Sequence, residues 1–223
     1  MTVPVITIDG PAASGKGTIA ERAARALGFH YLDSGALYRL AALASLEAGI
    51  DLSDGPAAEA VARNLKPLFR DSRIWLEGSD VTEAIRTEKV GVAASQVAAI
   101  PGVRKALFDL QRNAAEAPGL VADGRDMGTV VFPEAPLKIF MTASAAVRAE
   151  RRAKQLEARG LKARGLKADR AALTRDLEER DRRDRERAAA PLKPAEDAKL
   201  LDTSDMTIDE VVKKVLDWWQ LVR

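Results

Sequence analysis

The stretch Gly10-Pro11-Ala12-Ala13-Ser14-Gly15-Lys16-Gly17-Thr18 limits what this chain can fold into more than any other. Before it runs Val3-Pro4-Val5-Ile6-Thr7-Ile8, apolar and β-branched, which reads as a buried strand. After it, Ile19, Ala23, Ala26 and Leu27 fall on one helical face, and Gly28 ends the helix. A glycine-rich turn between a strand and a helix is the setting a phosphate-binding loop requires. Gly10 and Gly15 permit backbone angles that a side chain would forbid. The loop N–H groups then form a nest for phosphate oxygens, and the helix N-terminus adds its dipole. Lys16 adds a full positive charge. In the usual pattern a hydroxyl residue follows the lysine directly and meets Mg²⁺. Here Gly17 intervenes and the hydroxyl belongs to Thr18, the candidate metal contact, direct or through water.

Composition narrows the chemistry. The chain has 223 residues and no cysteine, so disulfides, cysteine-ligated zinc and thiol catalysis are excluded. It holds 35 basic and 33 acidic residues, a net charge of +2, which implies no general affinity for nucleic acid. No apolar run is long enough for a transmembrane helix, and the start carries no secretory signal, so a cytoplasmic protein is expected. The one histidine, His30, lies in Phe29-His30-Tyr31-Leu32, a strand, and reads as a core or rim residue rather than a catalytic base.

Beyond that strand, Asp33 or Ser34 caps a helix that carries Leu37, Leu40, Ala41 and Ala44 and ends near Gly49. Tyr38 and Arg39 in its first turns either pack and solvate or face a ligand cleft at the strand ends. A helix over 55–65 is followed by short strand-like pieces at 66–70, 74–78 and 80–82, a small β insertion. Helical texture returns over 87–99 and again from Pro101 to before Pro118. An apolar strand from Leu120 then ends in Asp123-Gly124-Arg125-Asp126, charge beside glycine at a strand terminus. Two more strands read at 138–142 and 199–203. Thr207 and Glu210 form a capping box for a terminal helix that packs on the sheet.

The most charged segment runs from Ala145 to Arg187. It contains a direct repeat, Arg159-Gly160-Leu161-Lys162-Ala163 then Arg164-Gly165-Leu166-Lys167-Ala168, which reads as a mobile loop. The following helix carries Leu173 and Leu177, and the same stripe continues as Arg180, Asp184 and Arg187. Such a helix is either fully solvated or faces a polar ligand.

A phosphate loop with scattered arginines points to phosphoryl transfer, whose charge-rich transition state needs cationic clamps and positioning. Arginine binds phosphate with a two-pronged fork and keeps its charge. A hydroxyl acceptor wants a positioned base, whereas a phosphate acceptor is already largely ionised. One unpromising histidine therefore favours a phosphate acceptor. Another small-molecule kinase, acting on UMP, AMP or shikimate, remains an alternative, as does an ATP-switched RNA-binding protein.

The motifs Asp33-Ser34-Gly35-Ala36-Leu37-Tyr38-Arg39, Ala94-Ser95-Gln96-Val97-Ala98, Asp123-Gly124-Arg125-Asp126-Met127-Gly128-Thr129 and Arg180-Asp181-Arg182-Arg183-Asp184-Arg185 with Arg187 together resemble bacterial cytidylate kinase. The resemblance covers nearly the whole chain. It implies an α/β P-loop kinase fold in three layers, with a five-stranded parallel sheet and flanking helices. The core would span about 1–35, 96–147 and 188–223, a β-containing subdomain for the nucleoside monophosphate about 36–95, and a mobile lid about 148–187. It implies ATP and Mg²⁺ as donor and ion, CMP and dCMP as acceptors, and a monomer without nucleic-acid or membrane partners. Gly10 to Thr18 would hold the ATP phosphates. Ser95, Arg104 and Asp126 would read cytosine. Arg39, Arg125 and Arg187 would grip the CMP phosphate, with Ser34, Tyr38 and Asp123 nearby. Asp184 and Arg180 would meet the ribose, and Arg151 would reach ATP and the transferring group. Lys16, Arg125, Arg151, Arg180 and Arg187 form the implied catalytic set. The direct repeat departs from the family pattern by adding five residues to the lid.

Overall fold

The computed structural model describes residues 3–70, 73–158 and 169–222. The direct repeat at 159–168, and with it the expected mobile loop, lies outside them. Two compact units emerge: residues up to Leu32 with those from Ala115 onward, and Asp33–Ala114.

The first unit is built on β1 (Val5–Asp9), β2 (His30–Asp33), β6 (Leu120–Gly124), β7 (Leu137–Thr142) and β8 (Lys199–Asp202), in the sheet order β2-β6-β1-β7-β8. β1 sits at the centre and pairs in parallel with β6 and β7, and β7 pairs in parallel with β8. A central parallel strand is covered on both faces, so it is rich in apolar residues. Ile6 and Ile8 accordingly join Val121, Leu137, Ile139 and Met141 in one core. Helix α1 (Lys16–Leu27) adds Ile19 and Ala23 to it, and α8 (Ile208–Val222) adds Val215 and Trp219. Each such buried Ile or Leu contributes about 1.5–3 kcal/mol of transfer free energy.

The local signals act as expected. Gly28 closes α1 with φ 66°. The Thr207 amide donates to Glu210 Oε2 at 2.8 Å, and the Glu210 amide donates to Thr207 Oγ1 at 3.3 Å, completing the capping box. His30 is an exposed rim residue whose Nε2 lies 3.0 Å from the Ala117 carbonyl oxygen. Some elements were not foreseen. α6 (Ala145–Ala158) is a helix in the stretch noted only for its charge, because Ala149 and Ala153 give it a narrow buried stripe. Met127–Val131 winds as a π-helical turn, a geometry no local pattern announces.

The second unit contains α2 (Ser34–Glu47), α3 (Gly55–Arg63), α4 (Glu88–Val97) and α5 (Pro101–Arg112). α2 packs on α4, and α3 on α5. The β insertion is a three-stranded antiparallel sheet of β3 (Pro67–Arg70), β4 (Arg73–Leu76) and β5 (Ser79–Asp80). Of the two capping candidates, Asp33 acts: its Oδ1 accepts from the Ala36 amide at 3.0 Å. Ser34 is the first helical residue.

Candidate active site

Loop 10–18 leaves the carboxyl end of the central strand, where parallel α/β sheets bind ligands. Its glycines are demanded by space and angle. A Cβ on Gly10 would overlap the Met141 carbonyl oxygen, and Gly15 has φ 93°. Ala12 packs on Ala149 and Leu177, so the loop rests on α6 and on α7 (Arg170–Glu186). Ser14 is buried, and its Oγ has no hydrogen-bond partner among the described residues. Thr18 is exposed in the first turn of α1.

Gly17, the departure from the usual motif, has a physical reason. A Cβ there would stand 3.3 Å from the Tyr31 hydroxyl and 3.4 Å from Asp123 Oδ2. Tyr31 donates to that same Asp123 oxygen at 2.6 Å. The pair leaves a side chain at position 17 only tight room. Tyr31 was not among the sequence candidates, and its ordinary strand setting gives no signal for it.

Arginines from α6 hold the loop by its carbonyls. Arg148 Nη1 donates to Ala12 O at 3.1 Å and its Nε to Ala143 O at 3.1 Å. Its Nη2 pairs with Asp181 Oδ2 at 2.7 Å, both side chains being buried. Arg151 Nη1 donates to Ser14 O at 2.7 Å, and its Nη2 to Thr203 O at 2.6 Å. Tying carbonyls outward leaves the loop amides for phosphate. Lys16 Nζ donates to Pro11 O at 3.4 Å.

A second group of charges gathers beyond β6. Arg125 Nε donates to Asp184 Oδ2 at 2.8 Å. Arg187 Nη2 lies 3.8 Å from Asp126 Oδ1, and its Nε donates to Ala190 O at 2.7 Å. Burial works to raise the Asp184 pKa, but Arg125, Arg180 and Arg187 outweigh it and hold the carboxyl below the usual range. Burial also works against the charge on Arg125, yet Asp184, Asp123 and Asp181 outweigh it and keep the guanidinium firmly protonated. The charged stripe of α7 is therefore not a solvated face. Asp181 and Asp184 are buried and paired to arginines of this same unit. The structure thus brings Arg125, Asp126, Arg180, Asp184 and Arg187 into one electrostatic group.

Asp9, the last residue of β1, was missed. Burial pushes its carboxyl up to about 6, against the pull of the Gly128 and Met127 amides. An acid closing an apolar strand immediately before Gly10 was the available signal.

The second unit holds Ser34, Tyr38, Arg39, Ser95 and Arg104. Arg39 Nη1 donates to Ile85 O at 2.7 Å and to Thr87 O at 3.4 Å. A Cβ on Gly91 would stand 3.1 Å from this guanidinium, a tight contact that Arg39 would have to yield to. Arg104 lies 5.6 Å from the centroid of the buried Tyr38 ring and donates to Ala98 O at 3.3 Å. Ser95 Oγ is buried without a hydrogen-bond partner among the described residues. A buried hydroxyl left in that condition asks for a partner from outside.

The cytidylate kinase family model matches residues 6–221. This chain belongs to the cytidylate kinase family. The cytidylate kinase of Cupriavidus necator is 59% identical over 99% of this chain and 97% of its own length. That of Ralstonia pickettii is 58% identical over 100% of this chain and 94% of its own. Family membership thus extends through both units and past the charged helix. Among solved structures, a gluconokinase from Sinorhizobium meliloti aligns with 99% of this chain and 94% of its own at a TM-score of 0.51. At 15% identity that likeness concerns the fold alone. No described helix is long and apolar enough to cross a membrane.

Proposed function

We propose that this chain transfers the γ-phosphoryl group of ATP to CMP and dCMP, giving CDP and dCDP. The observation that carries the reading is 59 and 58% identity to cytidylate kinases over nearly the full length of the chain, joined to a phosphate loop at the end of a central parallel strand. Gly10 to Thr18 hold the ATP phosphates through backbone amides, and Lys16 adds charge. Arg125, Arg187 and Arg39 grip the acceptor phosphate, with Ser34, Tyr38 and Asp123 shaping the surroundings. Asp184 and Arg180 meet the ribose. Asp126 accepts from the cytosine amino group, and Arg104 and Ser95 donate to its N3 and O2. The buried, partner-lacking Ser95 hydroxyl supports that assignment. Arg151 is engaged with Ser14 and Thr203, which supports a part in shaping the loop that cradles ATP.

The acceptor phosphate has a second pKa near 6, so it attacks without a side-chain base. What remains is alignment and charge compensation, and both come from the arginines and loop amides. Among the described residues no three acid or histidine side chains gather to hold a cation. The donor set that fits Mg²⁺ is the nucleotide phosphates with the Thr18 hydroxyl, direct or through water. Bound there, Mg²⁺ would neutralise charge on the β- and γ-phosphates. The three-part division stands as part of the same reading: an acceptor subdomain about 36–95, a lid about 148–187, and the remaining core. The same reading has the enzyme act as a cytoplasmic monomer.

A competition assay with CMP, dCMP, UMP, AMP and shikimate tests the reading. Preference for CMP and dCMP is expected. A preference for any other acceptor, or RNA affinity that falls steeply with salt and no transfer, overturns it.

A further inference from the structure

Asp9 is a buried carboxylate that the transfer chemistry above does not use. Its backbone runs directly into Gly10 and the phosphate loop. Its side chain serves a different stretch. Oδ1 accepts from the Met127 amide at 2.9 Å, and Oδ2 accepts from the Gly128 amide at 2.8 Å. Each oxygen thus holds one of two consecutive amides. Those amides open the π-helical turn that follows Arg125 and Asp126. The turn is irregular: Asp126 has φ −149° and ψ 22°, and its carbonyl accepts from the amides of Val130 at 2.9 Å and Val131 at 3.2 Å. It is also drawn tightly onto β1. A Cβ on Gly128 would stand 2.8 Å from Thr7 Oγ1. A buried carboxylate is costly to keep, and Asp126 beside it adds repulsion, against which work the Gly128 and Met127 amides and, more weakly, Lys16.

We propose that Asp9 is a positioning residue that fixes Arg125 and Asp126 relative to the phosphate loop, so that acceptor and donor phosphates meet in line. The inference rests on the CMP kinase reading. Its backbone sets where the loop begins. Its carboxylate sets where the acceptor-binding segment turns. Both anchor points belong to one residue, so their spacing is fixed by covalent geometry rather than by a packed interface.

The test compares Asp9→Asn with the wild-type chain. Asparagine keeps the size and one acceptor, but turns its amide group toward the other N–H. CMP is varied at saturating ATP, ATP is varied at saturating CMP, and binding of each nucleotide is measured by calorimetry. Loss of one hydrogen bond to a charged acceptor predicts a rise of about tenfold or more in KM for CMP and a fall in kcat, with ATP affinity nearly unchanged. Equal weakening of ATP and CMP, or no change in either, overturns the proposal. Asp9→Glu, which keeps both acceptors on a longer arm, is expected to recover part of the CMP affinity. No recovery counts against the proposal. Wild-type CMP turnover in the same assay reports on the parent reading separately. Should Asp9→Asn not fold, amide hydrogen exchange of the wild-type chain decides. Exchange at Met127 and Gly128 is expected to slow when CMP binds, and unchanged exchange contradicts the assignment.

Discussion

The two units hold their candidate arginines in different ways. In the first, Arg148 is buried against Asp181, and Arg125, part-buried, pairs with the buried Asp184. In the second, Arg39 and Arg104 are half-buried and lean on backbone carbonyls and a tyrosine ring. A buried ion pair cannot lose one member cheaply, because the other is left charged in a poor solvent. A carbonyl that loses its arginine loses a hydrogen bond but strands no charge. The charged face of the first unit is thus part of its architecture.

That contrast breaks most visibly at Arg148. Arg148→Ala would strand Asp181, and a loss of about 3–5 kcal/mol in urea unfolding is expected. A loss below ~1 kcal/mol, the range of exposed pairs, would erase the distinction between the units.

Asp9 gives the next effect, through pH. Its folded-state pKa of about 6 lies above the unfolded 3.8, because burial favours the neutral acid. The stability this adds is complete below 3.8 and is lost as pH rises through about 6. A shift of about two units corresponds to roughly 3 kcal/mol. The unfolding free energy of wild type relative to Asp9→Asn should therefore fall by about that much between pH 4 and pH 8. A flat difference would mean that Asp9 does not titrate as its surroundings require.

Arg39 sharpens the comparison from the other side. Arg39→Ala should cost at most ~1.5 kcal/mol in stability, the scale of a hydrogen bond to a carbonyl. Turnover with CMP should fall by roughly 10- to 150-fold in kcat/KM, the worth of a charge-assisted phosphate contact. Comparable losses of stability and turnover would place Arg39 with the architectural arginines. The smallest effect is expected at Gly17→Ser, whose Cβ asks the Tyr31 hydroxyl to yield a few tenths of an ångström. We expect a change of under ~1 kcal/mol in stability, with any kinetic loss relieved in Tyr31→Phe background.

These regions also differ in how far the residues alone disclosed them. Loop 10–18 was legible because its strand, glycines, lysine and helix are contiguous. The first two strands of the insertion were legible from their apolar runs and the turn residues between them, while the third, read at 80–82, lies at Ser79–Asp80 and has no apolar residue. The partners of the charged face were not. Arg148 finds Asp181 and Arg125 finds Asp184 across long stretches of chain, so α7 left open whether its stripe was solvated or ligand-facing. Its acids in fact turn inward to arginines of the same unit. Asp9 was missed for the same reason, since the amides it holds lie far along the chain. The π-helical turn over Met127–Val131 has no periodicity by which to find it.

The central claim is that the phosphate loop with Lys16 grips the donor triphosphate while Arg39, together with Arg125 and Arg187, holds the acceptor. Calorimetry of Lys16→Ala and Arg39→Ala with a non-hydrolysable ATP analogue and with CMP tests it most directly. Lys16→Ala should weaken the analogue and leave CMP binding near wild type, and Arg39→Ala should do the reverse. Equal weakening of both ligands by both substitutions would contradict the division of labour.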